Sequence, residues 1–125
     1  MSLAGDIAFL LRNAGFVHVI EGQLPAKPDE VVMVRALGGL DPLRTHGTEV
    51  YAQPRAQVLV RANTYAIASE WVEQAWRLLF KSNIIINGTR YLSIQPIDSP
   101  ADLGADQQQP PRRMFSFNVQ IMKEA

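Results

Sequence analysis

The side chains able to do covalent or acid–base chemistry are few and far apart in this sequence. His18 and His46 are the only imidazoles, and neither stands in a Glu-x-x-His or His-x-x-x-His spacing or beside a carboxylate cluster that would complete a metal site. None of Ser2, Ser69, Ser82, Ser93, Ser99 and Ser116 occupies the Gly-x-Ser-x-Gly setting that presents a strained, exposed hydroxyl. Gly38-Gly39 lacks the Gly-Lys-Ser/Thr continuation of a phosphate cradle. Cysteine is absent, which removes thiol catalysis, disulfides and cysteine-ligated zinc together. Asn87-Gly88-Thr89 matches a glycosylation sequon, yet no secretory segment is visible and turn chemistry explains it. The expectation is a protein that is not an enzyme and holds neither cofactor nor metal.

Charge and length narrow the classes further. Twelve basic residues balance twelve acidic ones, so no broad electrostatic footprint for nucleic acid or anionic membrane is expected. No run of 18 apolar residues occurs, and a soluble, cytoplasmic chain with no membrane partner is expected. At 125 residues the simplest organisation is one domain spanning 1–125.

The elements that must position any functional side chain are legible in the hydrophobic periods. Leu3, Ile7, Leu10, Leu11 and Ala14 fall at helical spacing, and Gly15 is placed to end that helix. Phe16 to Ile20 follows as a short strand, and the prolines of Gly22 to Asp29 make a turn region. Val31-Val32-Met33-Val34 suits a strand buried on both faces. In Arg55 to Ala62 the small and branched residues Ala56, Val58, Val60 and Ala62 share one face. Asn63 or Thr64 can cap a helix from Tyr65 to about Lys81, whose Ala68, Trp71, Val72, Ala75, Leu78 and Leu79 form a broad apolar stripe. Asn87-Gly88 predicts a type I′ hairpin between Ile84–Ile86 and Thr89–Ile94. Met114 to Ile121 alternates and supplies a last strand. The fold class is α+β: a mixed or mainly antiparallel sheet of five to six strands with two helices packed on one face.

Two stretches do not fit a regular element, at about 38–53 and 98–113. Unstructured loops beyond roughly 12 residues are uncommon in compact domains unless they bind something. The second stretch, with its Gln107-Gln108-Gln109-Pro110-Pro111 tract, has little apolar surface to bury and is expected to be a mobile arm. Tyr51 stands in the first as a candidate interface anchor, and Arg44, Arg55, Arg112 and Arg113 fall in or beside the two. Arg112-Arg113 next to Phe115 and Phe117 also permits an alternative, a small nucleic-acid-binding module with a basic and aromatic strand edge.

A resemblance joins these segments. Gly22-Gln23-Leu24-Pro25, Gly38-Gly39-Leu40, Pro54 to Arg61, Ala75-Trp76, Asn87-Gly88-Thr89-Arg90-Tyr91, Gln95-Pro96, Ser99-Pro100, Leu103-Gly104 and Phe115-Ser116-Phe117-Asn118 follow in an order similar to that of the tailed-bacteriophage minor capsid protein family. Members of that family resemble tail terminators. The resemblance implies a homohexameric ring at the head-proximal end of the tail tube, within the virion and assembled in the host cytoplasm. Its implied partners are further copies of the chain, the tail tube protein and the head-tail connector protein, with genomic DNA passing through unread. Six globules about 35 Å across leave a hole of about 35 Å, wide enough for a duplex roughly 20 Å wide. The assembly interface is then expected at Arg44, His46, Tyr51, Arg55, Asp102, Leu103, Arg112 and Arg113.

Overall fold

A computed structural model describes residues 2–45 and 48–124, and between 39 and 50 the backbone alone. The chain runs α1 (Leu3–Asn13), β1 (Val19–Glu21), β2 (Val31–Thr45), β3 (Thr48–Ala62), α2 (Tyr65–Leu78), β4 (Lys81–Ile86), β5 (Thr89–Pro96), β6 (Ala101–Ala105) and β7 (Arg113–Glu124). The strands form one sheet in the order β1-β2-β3-β7-β5-β4, with β6 also paired to β7. Only β1 and β2 run parallel. The α+β class holds, with one strand beyond the expected range.

Local chemistry sets the helix limits. The Ser2 hydroxyl accepts from the Gly5 amide at 3.0 Å and the Thr64 hydroxyl from the Ile67 amide at 3.2 Å, so each helix begins on a side-chain cap. At the end of α1, Gly15 takes φ +109° while its amide reaches the Arg12 carbonyl and that of Phe16 reaches Leu11. This six-to-one closure uses Phe16 as part of the helix stop, which is why the strand expected from Phe16 begins only at Val19.

Both helices cover one face. Leu3, Ile7, Ala8 and Leu11 of α1 and Ala68, Val72 and Ala75 of α2 meet Val32 and Val34, Ala56 to Ala62, and Phe115 to Ile121 in a single core. Leu79, just past α2, is fully buried there and Trp71 packs at its margin. The Asn87-Gly88 turn is present, with φ of 49° and 82°, and it closes β4 on β5 through Ile86 and Thr89. That hairpin is tied to α1. Asp6, 1% exposed, accepts from the Asn87 side-chain amide at 2.9 Å and from the Tyr91 hydroxyl. Burial, with the adjacent Asp6 carboxylate, pushes the Tyr91 phenol above its ordinary range, so it stays a donor.

The stretch 38–53 is not a loop. It is the far half of a β2–β3 ribbon, with Leu40 opposite Gln53, Leu43 opposite Tyr51 and Thr45 opposite Thr48. Register shifts between Leu37 and Leu40 and between Leu40 and Leu43 take up Gly38-Gly39 and Asp41-Pro42. The residues that read as strand breakers are absorbed as bulges, where a missing N–H or side chain costs little.

Two substitutions test this core. Leu79→Ala should cost about 2 to 5 kcal/mol in chemical denaturation, and an unchanged midpoint would contradict the burial. Tyr91→Phe, which leaves one Asp6 oxygen without its donor, should cost about 1 to 3 kcal/mol in the same measurement.

Candidate assembly interface

The second face of the sheet is covered at one end by backbone held on two arginines. Val31 and Met33 are buried but stand apart from the helical core, beneath the turn region 22–30. Arg61, 2% exposed and opposite Val31 on β3, donates from Nε to the Asp29 carbonyl (2.9 Å), from Nη1 to Pro25 (2.8 Å) and from Nη2 to Pro28 (2.6 Å). Its burial lowers its pKa, and the neighbouring Arg112 lowers it further. Arg112, 5% exposed, donates from Nε to Asp106 Oδ2 (2.6 Å) and from Nη1 to the Ala26 carbonyl (2.6 Å) and Asp29 Oδ1 (3.1 Å).

This corrects the mobile arm expected at 98–113. Ala101–Ala105 pairs with β7, the Asp106 amide reaches the Arg112 carbonyl at 2.8 Å, and Asp106 Oδ1 accepts from the Arg112 amide at 2.9 Å. Asp98 fixes the start of the segment, its carboxylate accepting from the Asn118 amide at 2.8 Å and its carbonyl from Trp76 Nε1 at 2.8 Å. Apolar burial was the wrong measure for this stretch. Charge-assisted hydrogen bonds hold it instead.

The other candidate residues fall at two ends of the sheet. At one end Arg113 lies 5.6 Å from the centre of the Tyr65 ring, with Nη2 3.6 Å from Asp102 and its Nε buried without a partner. Asp102 also accepts from the Gly104 amide at 2.7 Å, and Leu103 is half exposed beside it. At the other end Arg55 donates to Gln120 Oε1 at 2.7 Å, and Tyr51, half-buried, lies between Leu43 and Glu124 in the ladder. The ends are roughly 35 Å apart at the rise of an extended strand. His46 and the side chain of Arg44 lie outside the described residues. Phe115 and Phe117, the stacking aromatics of the nucleic-acid alternative, are buried in the core with Arg112 folded inward, so that edge does not exist.

Sequence reasoning missed exposed apolar residues at regular positions. Ile85 is 71% exposed on β4 while Ile84 and Ile86 face the core. The two-residue Asn87-Gly88 turn fixes that parity and would have revealed it. Tyr65, exposed beside Arg113, was missed in the same way. A groove of about 350 Å³ between the α1 end and α2 carries His18 and Glu30 but no serine, threonine, cysteine or lysine. Among the described residues no three His, Cys, Asp or Glu side chains are grouped to hold a metal ion, and no helix is long and apolar enough to cross a membrane.

A family model described as bacteriophage tail terminator protein matches residues 10–124. No curated protein matches the sequence. Among solved structures, a chain from the virion of a native gene transfer agent particle superposes with a TM-score of 0.78 at 13% identity, covering 99% of this chain and 96% of that one. At that identity the likeness is one of fold.

The acid behaviour of the Arg112 knot is a direct test of it. The Asp106 carboxyl is held below the ordinary aspartate value of 3.8, first by the Arg112 amide and then by its guanidinium, and Asp29 is held low by Lys27 and then Arg112. A depressed folded pKa stabilises above the unfolded value and loses that contribution as pH falls through the folded one. Amide exchange in Ala101–Ala105 should therefore accelerate relative to the core below about pH 4. Arg112→Ala should produce the same local opening at neutral pH, and equal protection in the two proteins would refute the knot.

Proposed function

The chain belongs to the bacteriophage tail terminator family, a family of non-enzymatic structural proteins, and from that premise we propose that it forms a ring closing the head-proximal end of a tail tube. In this reading six copies meet head to tail in a closed circle, stop further addition of tube protein and offer a new surface to the connector of the head. The match over residues 10–124 carries the reading. The shape of the subunit supports it. A terminator has two unlike faces to serve, and the candidate contacts fall into two groups, Tyr51 and Arg55 at one end of the sheet and Asp102, Leu103 and Arg113 at the other. Balanced charge suits passage of genomic DNA rather than capture, because each neutralised phosphate adds affinity that must be broken during transit. The tube, the connector and the passing duplex are thus the proposed partners, and the finished virion the proposed location.

The test is reconstitution. Tail tube protein polymerising with this chain present should give tubes that stop growing and carry a six-fold ring at one end in electron micrographs. Tubes of the same length and end morphology with and without the chain would reject the reading.

A further inference from the structure

Sheet edges keep backbone donors and acceptors without partners, and a long uncharged edge left bare invites another strand. One such edge, that of β4, occurs among the described residues, and a second open edge, on β2 from Arg35 to Thr45, carries Arg35, Asp41 and Arg44. On one side β4 is the terminal strand, Ser82 to Ile86 carry no charge, and Ile85 projects into solvent. In a two-residue hairpin closed at Ile86 and Thr89, the alternation of hydrogen bonds turns the backbone of Ile85 away from β5, while the regular ladder is interrupted at Asn83, whose φ is 52°. On the other side β1 covers β2 only at Val32, Met33 and Val34, and no described strand pairs the outer side of β2 from Arg35 to Thr45. The edge of β1 itself is closed. Its outward Val19 carbonyl accepts from Arg12 Nη2 at 2.7 Å, and the strand is only three residues long.

The two open edges match in height and polarity. Ile84 is level with Tyr91, Tyr91 with Lys123 and Lys123 with Ala52, which lies between the partners of Leu40 and Leu43. Because β2–β3, β3–β7, β7–β5 and β5–β4 are all antiparallel pairs, β4 and β2 point the same way. A copy displaced sideways around an axis along the strands therefore brings the β4 edge of one molecule against the far half of β2 in the next. The same step repeats without limit until the circle closes.

We propose that a second copy of this chain occupies the β4 edge, adding residues 35–45 of its β2 in parallel, so that the sheet runs on from subunit to subunit. The main-chain ladder supplies the contact, in the manner of strand addition, and Ile85 is covered by the incoming strand. Antiparallel pairing of β4 with β4 would give a two-fold dimer and leave β2 bare. The proposal rests on the ring reading above but names the surface that makes it.

The chain has no cysteine, so introduced pairs report only the intended contact. Ile85→Cys should be combined in turn with Gly38→Cys, Leu40→Cys and Leu43→Cys in the full chain; a side chain at Gly38 meets nothing within 4 Å. Mild oxidation should give a ladder of covalent dimers, trimers and higher species from at least one pair, and none from any single variant. Dimers from Ile85→Cys alone, or no ladder from all three pairs, would overturn the proposal. Ile85→Pro removes an outward N–H and no bond to β5, so it should keep the parent circular dichroism and lose every species above monomer in sedimentation. Higher species persisting in Ile85→Pro would also overturn it. If Ile85→Pro still caps tubes, this contact is wrong and the ring reading stands; if the parent chain fails to cap them, the ring reading falls.

Discussion

Arg61 and Arg112 are the constraint on which the second face of the sheet depends. The turn region 22–30 contains two prolines and no strand, so its carbonyls have no ladder to join, and buried carbonyls without donors are costly. A guanidinium supplies five donors in a fixed plane. Arg61 spends three of its nitrogens on three carbonyls of that turn, and Arg112 adds a fourth carbonyl while clamping Asp106 and Asp29. Both charges are almost fully enclosed, yet both are surrounded by oxygens. The result is a sheet sealed on its second face around Val31 and Met33 and uncovered further along the ribbon, where Arg35 and Arg55 are held by Gln57 and Gln120 rather than by a carboxylate.

The asymmetry of the sheet follows from this arrangement. The sealed end holds the β6 segment in place and presents Leu103 and Arg113 on a fixed backbone. The far end offers the ribbon and the β4–β5 hairpin, joined to the body through Asp6, Asn87 and Tyr91. The subunit thus has two differently built ends, in a chain that belongs to a family of structural proteins.

What the sequence made legible was whatever rests on periodicity and local turn chemistry. The stripe of α2, the alternation of β3 and β7, and the Asn87-Gly88 hairpin are all decided within a few neighbouring residues. What escaped depends on distant partners. Gly38-Gly39 and Asp41-Pro42 look like breaks in isolation and become bulges only because β3 runs opposite them. Arg112 looks like a surface cation until the carbonyl of Ala26, 86 residues away in sequence, is seen to lie within 2.6 Å. Of the residues named from the sequence, Arg113 and Asp102 lie together in the structure, whereas the position of β4 at the end of the sheet needed the strand order to become visible.

The position of β7 has a consequence for how the molecule is made. It is the last strand in chain order and yet lies between β3 and β5, while also holding β6. Until it arrives, the β1–β2–β3 portion and the β4–β5 hairpin share no ladder, and Phe115, Phe117, Val119 and Ile121 are missing from the centre of the core. A nascent chain on the ribosome therefore has two incomplete half-sheets and must wait for its final strand before either is sealed. Closure joins segments far apart in sequence, which makes it slow by the measure of contact order. The outer strands β2 and β4 acquire their common height and direction only when β7 has fixed them.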